Sequence, residues 1–406
     1  MIPSTPSMAA LLGVCLSTTT ILAQDGSRLR QAFDRLDDDN DAKLSAAEIS
    51  TAPQLAARLK DADEDGDGAL TYEEFSIGVV RSLTADSPPT KPSASEASTI
   101  RTGEQTRTVT VEGVDRRYLV YAPESYDPDT PTAVVIAFHG GGGNPQTAVR
   151  IFELNQKSEE AGFLVVYPYG SNTDPDRFLT FNGGECCGYA MHQEIDDVAY
   201  TRAFLDDLES VAKVDRGRVF ATGLSNGGIM SHRVGAELSD RIVAIAPVGG
   251  PLMLETIAPE FPVAVMHFHG TGDAFAPFEG GVGKNATGGP GVTDFRSVEF
   301  TLNRWIEANG CEATPVKESL PDLEDDGTTV VKKTWEGGKN GTEVVLVEIR
   351  GGGHTWPGVQ PPANASFLGV STMDVSANDL MWEFFQKHAR EVEAVAEENE
   401  ATGSGE

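Results

Sequence analysis

Cations are scarce in this chain. Its 406 residues carry 31 Lys and Arg against 62 Asp and Glu, a formal net charge of −31. A surface so acidic repels phosphate backbones and anionic lipid, which argues against nucleic acid and membrane surfaces as partners. The early apolar run, MAALLGVCLSTTTILA, is too short and too rich in threonine to span a bilayer. Cysteine is rare, with four residues in all, and aromatics make up only 7% of the chain. Hydrophobic residues still reach 39%, enough for a soluble globular protein with an ample core.

That early run ends at Ala23, before the polar stretch QDGSR. Residues 1–23 therefore read as a secretory signal peptide, although the segment before the run lacks Lys and Arg, and the expected destination is secreted or periplasmic. Lipid anchoring through Cys15 is disfavoured, because Val14 is larger than a lipid-attachment site usually accepts. Removal of Cys15 would leave Cys186, Cys187 and Cys311, which suggests one disulfide and one free thiol. Pairing of Cys311 with one of the adjacent cysteines is the expectation, and a vicinal Cys186–Cys187 bridge is the alternative.

Composition divides the rest. Residues 24–83 are acidic and helix-like. Residues 84–104, with TADSPPTKPSASEASTI at their centre, have the Pro, Ser and Thr content of a semi-extended linker. Residues 391–406 hold six glutamates and no cation, a solvated tail. Between them, residues 105–390 alternate apolar, β-branched runs such as TAVVIAFHG, GFLVVYPYG, RIVAIAPVGG and VAVMHFHG with helical stretches such as DDVAYTRAFLDDLESVAKV. Strands buried on both faces and alternating with helices predict an α/β fold, with a mostly parallel sheet and helices on both faces.

The acidic segment contains two twelve-residue loops with oxygen ligands at positions 1, 3, 5, 7, 9 and 12, the EF-hand calcium pattern. In DEDGDGALTYEE the ligands are Asp63, Asp65, Asp67, the Ala69 carbonyl, Thr71 and Glu74, with Gly68 at the sharp turn and Leu70 at position eight. In DDDNDAKLSAAE they are Asp37, Asp39, Asp41, the Lys43 carbonyl, Ser45 and Glu48, with Leu44 at position eight. Ala42 replaces the turn glycine there, and a Cβ in a left-handed conformation costs about 1–2 kcal/mol, so this site is expected to be weaker. Calcium is thus the expected ion of a small all-α EF-hand module, remote from any chemistry. The short spacing of the loops resembles dockerin-like modules, which leaves a protein partner open.

In RVFATGLSNGG an apolar strand runs into Gly223-Leu224-Ser225-Asn226-Gly227, and a helix follows at once. Strand, G-x-S-x-G and helix form a nucleophile elbow, with Ser225 as nucleophile. Upstream, FHGGGGN ends another buried strand and offers Gly140 and Gly141 as backbone donors to a developing oxyanion, with the Asn226 N–H as partner donor. No Lys-Ser/Thr follows the glycines as a phosphate loop requires. His139 is expected to be structural. The acid should follow the serine, and Asp273 in HGTGD stands after a strand, with Glu279 as the nearest alternative. His267 and His269 face one side of that strand. No third metal ligand accompanies them, and His269 is expected to fix the Asp273 turn. His354 in RGGGHTWPG completes the order Ser, Asp, His as general base, its glycines letting the loop bend over the elbow. His388, in the closing helix, reads as a solvent-side residue.

Together FHGGGGN, NGGECCGYA, EIDDVAYTRAFLDDL, GLSNGG, HGTGD, GGGHTWPG and DLMWEFF resemble the secreted esterases that include feruloyl esterases, acetylxylan esterases and polyhydroxybutyrate depolymerase-like proteins. The resemblance covers residues 105–390. It implies one α/β-hydrolase domain and a serine esterase that cleaves feruloyl or acetyl esters of polysaccharides through an acyl-enzyme, with no cofactor needed for the chemistry. A polyester depolymerase is the alternative, and a calcium-dependent docking protein with an inactive hydrolase fold is the competing class. Cys187, Tyr189 and Trp356 are the expected substrate contacts, with a role as packing anchor the equal alternative for Trp356. Asp196 and Asp197 are expected to cap the helix that they open.

Overall fold

The computed structural model describes residues 99–284, 290–361 and 363–390, together with residues 33, 35–37, 39, 41, 43–45, 48–49, 69–71 and 75. The expected signal peptide (residues 1–23), Asp63, Asp65, Asp67, Glu74 and the acidic tail lie outside the described residues. The chain divides into two compact units, Met1–Ser93 and Ala94–Glu406.

In the first unit, strands β1 (Lys43–Ser45) and β2 (Ala69–Thr71) pair antiparallel, with Leu44 opposite Leu70. Only the central residue of each strand points inward. Both leucines are buried against Phe33 and Phe75, whose rings meet edge-on at 5.5 Å.

The second unit begins with a hairpin, β3 (Gly103–Val111) and β4 (Val114–Ala122). Glu112 and Gly113 turn between them at φ 51° and 83°, the positive angles that match strand twist in a two-residue connection. Then follow β5 (Thr132–Phe138), α1 (Pro145–Phe152), α2 (Leu154–Ala161), β6 (Leu164–Pro168), α3 (Gly188–His192) and α4 (Asp197–Val211). The middle of the chain forms β7 (Val214–Leu224), α5 (Asn226–Glu237), β8 (Ala244–Val248) and β9 (Ala264–Gly270). A small hairpin, β10 (Gly281–Lys284) and β11 (Pro290–Phe295), precedes α6 (Val298–Asn309). The chain then adds β12 (Val316–Ser319), β13 (Thr329–Trp335), β14 (Val344–Arg350) and α7 (Ala377–Lys387).

Ten strands make one sheet in the order β12-β13-β14-β9-β8-β7-β5-β6-β4-β3. The six from β14 to β6 are parallel, and an antiparallel pair flanks them at each edge. Every residue of β5, β6, β8 and β9 is buried, whereas β3 at the edge keeps one face exposed. Successive side chains of β5 go to opposite faces. Val134 and Ile136 join one apolar layer with Phe204 of α4 and Trp305 of α6, and Val135 and Ala137 join the other with Phe152 of α1 and Phe384 of α7. This is the α/β-hydrolase architecture.

Some expectations need adjusting. Ile100 is buried and its N–H donates to Val211 O, so the body of the unit starts before residue 105. Asp196 caps α4 through the Ala199 N–H, but Asp197 turns inward to Arg116 (2.8 Å) and the Asn182 N–H (2.7 Å). Cys186 and Cys187 form the vicinal disulfide and Cys311 is free. The expected pairing of Cys311 fails because its Sγ lies beside Gly338, beyond α6. His388 also faces inward, bonded to Glu343 Oε1 at 3.1 Å.

Candidate active site

Six parallel strands run through the sheet, and four of them, β5, β7, β9 and β14, hand their next residues to the same place. Ser225 stands between β7 and α5 at φ 59°, ψ −122°, a strained conformation for a residue with a Cβ. Its own N–H donates to Val248 O and its carbonyl accepts from Ile229 N, which lock the turn. The neighbouring glycines leave no alternative. A Cβ on Gly227 would lie 2.0 Å from Phe138 O, because the end of β5 crosses directly over the elbow.

Beyond β5, the loop from His139 to Gly143 borders the serine; an added Cβ on Gly140 would sit 3.7 Å from Ser225 Cβ. The Gly142 N–H is spent on Leu179 O and the Gly143 N–H on Gly140 O. His139 is buried between this loop and Gly170: the Gly170 N–H donates to Nε2, so Nδ1 carries the proton and donates to Gly140 O. Burial pushes the imidazole down to about 4, so it stays neutral. With the Gly140 carbonyl drawn toward His139, the planar trans peptide turns the Gly141 N–H the opposite way. Asn226 is pinned at the first turn of α5 by two bonds of its side chain to the Phe181 backbone, each 2.8 Å.

Asp273 lies just past β9 and His354 just past β14, which are adjacent parallel strands. His354 Nδ1 is 2.6 Å from Asp273 Oδ2, and the acceptor-only carboxylate makes Nδ1 the protonated nitrogen. Asp273 Oδ1 accepts from the N–H groups of Phe275 and Ala276. Burial alone would raise this carboxyl, but His354, His269 and the Ala276 N–H outweigh it and hold the pKa below the usual range. The His354 N–H donates to Leu368 O and the Gly353 N–H to Val370 O. Gly353 is required because a Cβ there would meet Leu368 O at 2.2 Å. The glycines before His354 serve close packing.

Ser225 and His354 line one cleft of about 500 Å³ together with Gly140 and Gly141. Its other walls are largely apolar: Phe152, Ile151, Phe275, Phe295, Phe367 and Leu368, with Lys284 at the β10 side. Sequence reasoning missed these phenylalanines, which come from four separate segments and follow no motif.

None of the three expected substrate contacts lines the cleft. Trp356 is buried, stacked on Phe152 at 4.1 Å, and donates from Nε1 to Asn378 Oδ1. Tyr189 borders a separate groove of about 400 Å³ with Arg116, Arg117, Tyr169 and Asn172. Cys187 packs with Cys186 against Ile229 and Met253, so the vicinal pair supports the floor of α5. Glu279, the alternative acid, makes no bond to His354 among the described residues, where Asp273 occupies Nδ1.

In the first unit, Asp37, Asp39 and Glu48 bring ligand oxygens within 4.8 Å of one another. Asp41 N donates to Asp37 Oδ1 and Lys43 N to Asp41 Oδ1, and Ser45 bonds Glu48 Oε2, so the loop wraps around these carboxylates. Ala69 stands on β2 opposite Ser45.

No family model matches the chain. Over 305 residues it is 28% identical to the esterase-designated protein NocK of Nocardia uniformis subsp. tsuyamanensis, covering 68% of this chain and 81% of that one. Feruloyl esterase B of Piromyces equi is 29% identical over 244 residues, 59% of this chain but only 42% of the relative's length. Feruloyl esterase D of Neurospora crassa is 26% identical, covering 71% of this chain and 87% of that protein. Among solved structures, an acetyl xylan esterase from Aspergillus awamori superposes with a TM-score of 0.46 at 14% identity, over 69% of this chain and 99% of the other.

Proposed function

We infer that this carboxylic ester hydrolase works through Ser225, His354 and Asp273 and cleaves hydroxycinnamoyl esters, of the feruloyl kind, from polysaccharides or their fragments. The observation that carries the reading is the cleft itself: a strained elbow serine and an aspartate-bonded histidine share one pocket walled by phenylalanines. Ser225 Oγ attacks the ester carbonyl while His354 Nε2 takes its proton, and Asp273 holds Nδ1–H and stabilises the imidazolium. The N–H groups of Gly141 and Asn226 receive the oxyanion, with Gly140 bordering it. His354 then protonates the leaving alcohol, and a water delivered by the same base releases the acid from the acyl-enzyme. Phe275, Phe295 and Phe367 favour a flat aromatic acyl group over acetyl. The names of the relatives, feruloyl esterases among them, agree with that preference.

The test is a hydrolysis panel of methyl ferulate, acetylated xylan and a hydroxybutyrate oligomer. Methyl ferulate should be turned over fastest, and Ser225→Ala should lower kcat on the order of 10⁶-fold. Near-normal hydrolysis by that variant would remove Ser225 from the mechanism. Preference for the oligomer would favour the polyester reading.

The first unit is read as an EF-hand pair. Asp37, Asp39, Asp41, the Lys43 carbonyl and Glu48 would hold one calcium ion, and the donor set of carboxylate oxygens suits that hard cation. Asp63, Asp65, Asp67, Ala69 and Glu74 would hold another. Leu44 opposite Leu70 supports the pairing of the two loops. Export is part of the same reading, carried by residues 1–23; among the described residues no helix is long and apolar enough to cross a membrane.

A further inference from the structure

Behind the acid lies a row of buried rings that the mechanism above does not use. Trp305 Nε1 is 2.9 Å from His232 Nδ1, and His232 Nε2 is 3.3 Å from His267 Nδ1. His267 Nε2 is 3.0 Å from His269 Nδ1, and His269 Nε2 lies 2.8 Å from Ala276 O and 3.5 Å from Asp273 Oδ2. All three histidines are almost fully buried.

The ends of this row decide every proton in it. An indole N–H can only donate, so His232 Nδ1 must accept and its single proton sits on Nε2. That proton points at His267 Nδ1, which places the His267 proton on Nε2, and the same step repeats at His269. The final N–H meets a carbonyl and a carboxylate, both of which only accept. One tautomer pattern satisfies all the contacts, and the reversed pattern would set the indole N–H against another N–H. Each Nδ1 lone pair is already occupied, so the histidines are linked end to end and do not converge on a metal.

We propose that Trp305, His232, His267 and His269 form a positioning relay for the catalytic centre, a one-directional hydrogen-bond chain that ties the nucleophile's helix to the acid's turn. This rests on the assignment of Ser225, His354 and Asp273 above. His232 sits on α5, two turns after Ser225, while His267 and His269 belong to β9 and Trp305 to α6. The relay therefore bolts together the elements that carry the nucleophile and the acid. At its end His269 holds the Ala276 carbonyl, and the Ala276 N–H in turn holds Asp273 Oδ1, so the carboxylate is clamped from both sides of one peptide segment. Every ring is neutral, which gives the buried carboxylate an oriented donor without a competing cation.

The direct test reads histidine tautomers in the ¹⁵N-labelled full-length enzyme by two-bond ¹H–¹⁵N correlation at pH 7. His232, His267 and His269 should all be protonated on Nε2; an Nδ1–H form at any of them breaks the chain and overturns the proposal. His267→Phe interrupts the relay at its centre. It should lower kcat for a soluble ester about 10- to 100-fold with KM unchanged, and shift the low-field resonance of the His354 Nδ1–H. His267→Gln, which keeps an acceptor and a donor, should recover part of both. A folded His267→Phe enzyme with wild-type kcat and an unmoved resonance would refute the relay while an inactive Ser225→Ala left the triad standing. An active Ser225→Ala would instead refute the triad, whatever the tautomers.

Discussion

Trp356 shows how position in sequence and position in space can part. It is two residues from His354, yet its ring does not line the cleft and lies buried, flat on Phe152 and bonded to Asn378. Replacing it with Ala removes a fully buried aromatic and should cost about 3–5 kcal/mol in stability. Urea unfolding would read that loss, and KM for methyl ferulate should change little in the folded fraction. A raised KM with unchanged stability would mean that the ring contacts substrate after all. Ser225, Asp273 and His354 were legible as residues, because an elbow motif and chain order name them. The aromatic wall was not, since Phe152, Phe275, Phe295 and Phe367 meet only when α1, the β9 turn, the β11 hairpin and the loop after β14 come together.

At the scale of elements, the elbow depends on how closely β5 and α5 approach. Gly227 is where they touch, and the Phe138 and His139 carbonyls would lie 2.0 and 2.7 Å from an added Cβ. Gly227→Ala should therefore displace either the start of α5 or the loop from His139 to Gly143. Soluble yield should fall, and the surviving protein should react with a fluorophosphonate at least about 100-fold more slowly than wild type. The parallel strands were readable as continuous apolar runs. The antiparallel edge strands β3, β12 and β13 were harder to read: β3 alternates with one face exposed and β12 is exposed throughout, so neither has the continuous apolar run of a core strand.

For the whole molecule, buried histidines make stability depend on pH. Burial pushes His139 down to about 4 and His232 to about 3, and burial with neighbouring imidazoles lowers His267. His269 is also lowered, burial outweighing the Asp273 charge. In the unfolded chain an imidazole takes up its proton near pH 6.5. Between about 6.5 and 4 the unfolded chain thus binds protons that the native form refuses, so stability must fall as pH falls through that window. Urea midpoints at pH 7.5, 6 and 5 should decline in that order, and His232→Phe should flatten the decline. Below that window Glu343 and Glu348 add to the loss. Burial would raise them, but His388 and Lys387 on one and Lys333 and Arg350 on the other hold both carboxyls low, and that stabilisation disappears on protonation. Calcium should act on the first unit alone: adding it to chelator-treated protein should raise that unit's unfolding temperature and leave kcat for methyl ferulate unchanged. Loss of turnover on chelation would place the ion nearer to the chemistry.

Local patterns by themselves determined the layered α/β architecture, the elbow and the order of Ser225, Asp273 and His354, because buried strands, tight turns and chain order are written in adjacent residues. Only the tertiary structure decided the disulfide partner of Cys186, the inward turn of Trp356, the phenylalanine cleft and the row of hydrogen-bonded histidines. Each depends on which side chains meet across strands and helices far apart in the chain, and that is set by packing of the whole core.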